Sequence, residues 1–464
     1  MNARNFLVFS FFVLLVACSR NYDLPPTIES VDFKSKKIPP YPQLTDGDPE
    51  LGFYYLTEGA YLGTGLPYEM MRKRLERDSE KLVRQTKLPT QYGFAVFEAD
   101  NGVKVVNGTC YSCHAGKVLG ETVLGMGNSL TNNQINLSLP AKLVDWNIRR
   151  KYKRDTATLE AYSVFGQNFK GMAPYTHTSN PGVSSAARIA ESCMRFRDPQ
   201  TLEMGDSAYY DIREYNLASD IPALWHMQKK NALYYTAVGR GDFTKLLFQA
   251  SVLGIPDSTA ARRAQEKFVH IAAYINSLEP PKYPGTIDRV KAARGEAIFE
   301  KKCSGCHGTY GEHESYPNKV IALEKIGTDP LYAHYAVDSK IVEWYNQSWF
   351  ATSEPHSWFE PQPGYIAPPL DGIWATAPYF HNGSVPTVAQ VLDSKNRPER
   401  WKRSDDSMDY DHDRVGWLYK AKSGRSGKLT FDTTRPGYGN GGHTFGDDLS
   451  DEQRTAVVEY LKTL

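Results

Sequence analysis

Cysteine is scarce: six residues in a chain of 464, too few for the disulfide framework that holds small secreted domains together. An excess of charge of either sign is missing as well. Lysine and arginine number 54 against 53 aspartates and glutamates, a formal net charge of +1, which speaks against the basic surface of a nucleic-acid-binding protein. After the first residues no apolar run approaches the ~20 residues that span a bilayer. Core-forming residues are not lacking. With 41% hydrophobic and 23% charged residues the chain has the balance of a folded protein rather than a disordered one. Aromatic residues make up 12%, which suits large apolar pockets and ordinary cores alike. At ~100–200 residues per domain the length suggests two or three units, and two large halves are the working division.

What is present begins with a leader. Arg4 precedes an apolar run from Phe6 to Ala17 and then Cys18, the layout of a secretory signal peptide over residues 1–17. Leu15-Val16-Ala17-Cys18 resembles the bacterial lipobox, which implies acylation of Cys18 and attachment to a membrane. Ser19 stands where inner-membrane lipoproteins carry aspartate, so the resemblance points to the outer membrane, facing the periplasm or the cell surface. Residues 18–44, with Pro25, Pro26, Pro39, Pro40 and Pro42, read as an extended linker.

Four of the five remaining cysteines form two units of one kind, Cys110-Tyr-Ser-Cys113-His114 and Cys303-Ser-Gly-Cys306-His307. That spacing is the attachment pattern of haem c. Two thiols add to the haem vinyl groups and the adjacent imidazole ligates iron. A redox pair, a zinc site built from both pairs and two disulfides are the competing readings. None of them needs a histidine directly after each pair. Two covalent haems, with His114 and His307 as proximal ligands, are therefore expected. Cys193 reads as a buried apolar residue.

The second motif has helical surroundings. Val290, Ala293, Ala297 and Ile298 recur at helical spacing up to Cys303, and Leu449-Ser450-Asp451-Glu452 is a capped start for a helix carrying Val457, Val458, Leu461 and Leu464. A similar closing helix is expected at 268–278, ended by the proline-rich segment 280–285. The halves are then 45–283 and 285–464. Gly93–Ala99 and Val103–Val106 read as strands around a turn at Asp100-Asn-Gly102. The fold class is mainly α, with two cytochrome c-like domains, the first enlarged by loops and a few short strands.

Residues 367–387, from Ala367-Pro-Pro-Leu-Asp-Gly-Ile-Trp through Pro378-Tyr-Phe-His381-Asn-Gly-Ser-Val-Pro-Thr387, resemble the signature of the di-haem cytochrome c peroxidase and MauG superfamily. Asp220-Ile-Pro-Ala-Leu-Trp225 and Gly239-Arg-Gly-Asp242 make the chain most similar to its rubber-oxygenase-like branch. The resemblance implies a reactive N-terminal haem, an electron-transferring C-terminal haem, and Trp225 as the relay between them. A core tryptophan is the plainer reading of the residue alone. The superfamily's peroxidases carry a sixth ligand where this chain has Lys395, so His443, in the glycine-rich segment Gly441-Gly442-His443, is the candidate distal ligand. His381 is expected beside a haem, against a propionate. Carbonyls of Thr376 and Pro378 match positions that help bind calcium in the peroxidases. On the N-terminal side Leu130 stands where the peroxidases offer a distal histidine, which favours an open site, with His177, His226 and Met172 as remaining candidates.

The function so implied is an oxidoreductase activating hydrogen peroxide or dioxygen, fed by a small redox protein or a quinol-linked donor. A non-catalytic di-haem electron carrier is the alternative, and a haem-based sensor a third reading. The organic substrate is not read from family membership.

Overall fold

The computed structural model describes residues 33–59, 61–77, 93–424, 427 and 429–464. Cys18 and the leader lie outside the described residues, as does most of the 18–44 linker. Helix makes up 40% and strand 14%, in agreement with a mainly α chain.

Two pairs of helices carry the architecture. Pro49–Glu58 starts where the Asp48 side chain accepts hydrogen bonds from the amides of Glu50 and Leu51, at 2.8 and 3.1 Å, and it ends at Gly59, whose φ of 68° favours a residue without Cβ. It packs against Ser258–Asn276, which is capped by Asp257. The contact is made at Gly52, where a Cβ would lie 2.0 Å from the His270 carbonyl oxygen, and one turn on the Phe53 ring meets Tyr274 at 5.3 Å.

The second pair repeats this plan. Arg289–Lys302, capped by Asp288, crosses Asp451–Leu461, whose first turn is closed by a capping box between Ser450 and Gln453. Here Gly295 makes the close approach, a Cβ on it falling 1.9 Å from the Ala456 carbonyl oxygen, and Phe299 meets Tyr460 at 5.3 Å. The buried face of Arg289–Lys302 is Ala292, Gly295 and Phe299, and Val290 is 68% exposed. This corrects the face expected from Val290, Ala293, Ala297 and Ile298. The crossing is set by where the backbones can touch, which a count of apolar side chains does not register. Gly295→Ala is therefore expected to cost about 3 kcal/mol through backbone overlap, read as a lowered denaturant midpoint. Glu296→Ala on the exposed side should stay within about 0.5 kcal/mol.

Strands Phe94–Glu98 and Lys104–Gly108 pair antiparallel around Gly102, and Leu66–Pro67 extends them. Small sheets tie distant segments together. Ser35–Lys37 and Gly364–Ile366 flank Lys319–Ala322, and Gly239–Gly241 pairs with Ser357–Phe359. Trp344, Tyr345, Trp349, Phe350 and Phe359 share one core with Leu56, Tyr111 and Phe268. Trp225 lies in a second core with Phe299, Trp374, Trp417 and Tyr460.

Candidate functional site

Each Cys-x-x-Cys-His unit folds into a single helical turn, Tyr111–His114 or Ser304–His307, with the histidine amide donating to the carbonyl of the first cysteine at 2.9 and 3.0 Å. Positions i, i+3 and i+4 share one face of a turn. Both thiols and the imidazole of a unit thus face the same way, and all four thiols are free.

A proline carbonyl stands beside each imidazole. His307 Nδ1 is 2.9 Å from the Pro368 oxygen, so Nδ1–H donates to that carbonyl and Nε2 keeps its lone pair for a metal. Burial lowers the His307 pKa, and the Pro368 carbonyl opposes the shift. Burial pushes His114 down to about 4, opposed in the same way by the Pro222 carbonyl. Neutral imidazole is the form that ligates iron.

His443 comes to His307 from the far end of the chain. Its own backbone is left-handed, with φ 47°, and Gly442 before it has φ 71° and touches the Gly327 backbone so closely that a Cβ would fall 2.1 Å from the Gly327 carbonyl carbon. Arg397 clamps the loop. It donates to the carbonyls of Asn440, Gly442 and His443 at 2.8, 2.6 and 3.1 Å while its guanidinium lies over the Phe380 ring. The His307 and His443 rings end 6.2 Å apart, centroid to centroid. Two metal–imidazole bonds of about 2 Å, with half a ring on each side, add up to about 6 Å. The spacing fits an iron held between the two rings. Burial, then the charges of His307 and Arg397, pushes His443 down to about 4, again the ligating form. Lys395, at the position of the peroxidases' sixth ligand, is exposed in the turn Ser394–Asn396.

Trp225 is 1% exposed and sits between the segment that follows the first motif and the loop after Pro368. The Gly125 amide donates to the His114 carbonyl at 2.8 Å, and a Cβ on Gly125 would lie 3.6 Å from the indole. On the other side the indole lies against Gly372, and Trp225 Nε1 donates to the Asp371 carbonyl at 2.9 Å. His226 Nε2 meets the same carbonyl at 2.8 Å, which occupies the nitrogen a distal ligand would use, and burial pushes its pKa down to about 3. Lys229 holds the Asp371 carboxylate at 2.6 Å.

His381 stacks on Tyr365 at 4.1 Å, with Tyr235 and Tyr332 each 6.4 Å away, and burial pushes its pKa down to about 3. Its buried Nε2 has no partner among the described residues, which leaves it available to a group such as a propionate. Among the described residues no group of three or more His, Cys, Asp or Glu is placed to hold a metal ion.

Two features escaped the sequence reading. One is the Arg397 clamp. The other is a repeated turn: the Leu233–Gly239 and Tyr379–Val385 bridges enclose Tyr234 and Ala237, with φ of 70° and 53°, and Phe380 and Gly383, with φ of 71° and 67°. Tyr235 and His381 occupy equivalent places in the two turns. The spacing from Pro222 to Leu233 equals that from Pro368 to Tyr379, a signal that was there to be found.

The family model described as RoxA-like, cytochrome c-like matches residues 364–402, a stretch containing Pro368, His381 and Arg397. The match supports a cytochrome c-like domain of the RoxA-like kind at these residues. Two proteins of Sinorhizobium fredii are similar to it. Uncharacterized protein y4iJ is 29% identical over 40% of this chain and 41% of its own length, and uncharacterized protein y4iM is 26% identical over 56% of this chain and 67% of its own. The chain thus spans less than half the length of the first.

Proposed function

We propose that this chain is an exported, lipid-anchored di-haem c-type cytochrome oxidoreductase. In this reading hydrogen peroxide or dioxygen reacts at the His114 site, and electrons enter at the site of His307 and His443. The observation that carries it is the pair of imidazoles 6.2 Å apart, brought together from residues 136 positions apart in sequence. When bound, haem supplies an iron that exchanges single electrons where both axial positions are filled and binds a small oxidant where one is open.

The protein's own part follows from the geometry. Cys110 and Cys113, and Cys303 and Cys306, would each tether one porphyrin. The Pro368 carbonyl orients the His307 imidazole, and the Pro222 carbonyl lies near that of His114. Arg397 fixes the loop of His443, and Trp225 fills the space between the two sites with a ring able to shorten an electron transfer. The similarity over residues 364–402 favours an oxidoreductase, and the resemblance to the rubber-oxygenase-like branch favours an open N-terminal site.

One equivalent of hydrogen peroxide added to the half-reduced holoprotein tests this. The expected result is a fast change in the absorption of one haem together with oxidation of the other. Two haems indifferent to both peroxide and dioxygen would leave an electron carrier. Anchoring is tested separately, since Cys18→Ala is expected to abolish incorporation of labelled fatty acid and release the protein from the membrane fraction.

A further inference from the structure

The helix Ser138–Lys151 exposes an apolar stripe on the side away from the protein. It begins where the Asn136 side chain accepts from the Ser138 amide at 2.9 Å, and Arg149, Arg150 and Lys151 complement its C-terminal dipole. Ala141, Asp145 and Ile148 face the protein. At about 3.6 residues per turn Leu139, Leu143, Trp146 and Arg150 fall along the opposite side. Leu139 is 65% exposed, Leu143 56% and Trp146 58%, and Ile135 just before the helix is 61% exposed. Four of the twelve large apolar side chains exposed among the described residues thus lie within one short stretch. Such a cluster needs a partner.

Charge identifies the partner. Between Ser138 and Arg154 the chain has six cations, Lys142, Arg149, Arg150, Lys151, Lys153 and Arg154, against the single acid Asp145. The whole protein is only +1, so this is a local concentration. Asp145 is turned inward to Arg149 and Lys170. The Arg150 guanidinium lies 5.2 Å over the Trp146 ring, which places an amphipathic pair at the boundary of stripe and cationic rim. An apolar stripe of Leu and Trp bordered by Lys and Arg is the composition of a helix that lies in a lipid–water interface. With 14 residues it is too short to cross, and no helix among the described residues is long and apolar enough to do so.

We propose that Ser138–Lys151 is a membrane-docking helix that lays its Leu139–Leu143–Trp146 stripe into an anionic phospholipid surface. It is a contact made by the folded body itself, and one that sets the orientation of the protein on the membrane. The inference rests on the exposed stripe and its charge, and it stands or falls independently of the haem and acylation readings.

The test uses mature holoprotein exported behind a signal peptide that is cleaved without acylation, so that any binding comes from the folded body. Co-sedimentation is measured with vesicles of phosphatidylglycerol and phosphatidylethanolamine, and with vesicles of phosphatidylcholine alone. Binding is expected to the anionic vesicles, weakening with added salt and by about fivefold for each of Lys142→Gln and Lys151→Gln. Leu139→Glu with Leu143→Glu should abolish it while leaving the haem absorption and thermal midpoint unchanged, because both positions are at the surface. Absence of binding to anionic vesicles, or binding that survives the double leucine variant, would overturn the proposal. So would a concentration-dependent dimer that Leu143→Glu disperses, which would assign the stripe to a second copy of the chain.

Discussion

Trp225→Ala is expected to lower stability by about 3–5 kcal/mol, the usual cost of emptying a fully buried tryptophan site, and to slow the passage of electrons between the two haem sites. The first effect follows from packing. The indole fills the space between Gly125 and Gly372 and belongs to the core of Phe299, Trp374 and Tyr460. The second follows from position, since the ring lies between Gly125, on the loop after His114, and Gly372, on the loop after Pro368, and bonds the Asp371 carbonyl. Trp225→Phe separates the two. Phenylalanine keeps most of the volume and loses one hydrogen bond of about 1 kcal/mol, while His226 still bonds the Asp371 carbonyl. It is also much harder to oxidise. Near-native denaturant midpoints with slowed inter-haem transfer, followed by rapid mixing with a reductant, are therefore expected for phenylalanine. Undiminished transfer in both variants would reduce Trp225 to a packing residue.

His443→Ala is expected to convert the His307 haem from low spin to high spin without disturbing the other haem. The loop of His443 is held by Arg397 through backbone carbonyls alone, so removal of the imidazole leaves its frame in place. Alanine also removes nothing from the His307–Pro368 bond. His443→Met should restore six-coordination and raise the reduction potential, as thioether ligation does in cytochromes c. Absorption spectra of the oxidised and reduced variants read the change, and an unaltered low-spin spectrum in the alanine variant would remove His443 from the ligand set.

Local patterns carried the legible part of the sequence. Both Cys-x-x-Cys-His turns, the capping box at Ser450 and the hairpin at Asp100-Asn-Gly102 are dictated by neighbours a few residues away, and the structure forms each of them. His443 was singled out because glycines permit close approach, and its ring does approach His307. The unread part depends on long-range contact. Pro49–Glu58 lies some fifty residues before the motif it serves, and the signal that pairs it with Ser258–Asn276 is a single glycine, Gly52. Arg397 acts through carbonyls of a loop more than forty residues away, and carbonyls have no side-chain signature. His381 was expected against a propionate. The ring stacking that positions it, with Tyr365, Tyr332 and Tyr235, comes from three separate segments.

The proposed function requires two unlike irons, one between His307 and His443 and one carried by His114. Low-temperature electron paramagnetic resonance of the oxidised holoprotein, with spins counted per chain, tests this most directly. One low-spin ferric centre of bis-imidazole type and one high-spin ferric centre are expected. Two low-spin centres that persist after half-reduction, or a single haem per chain, would contradict it.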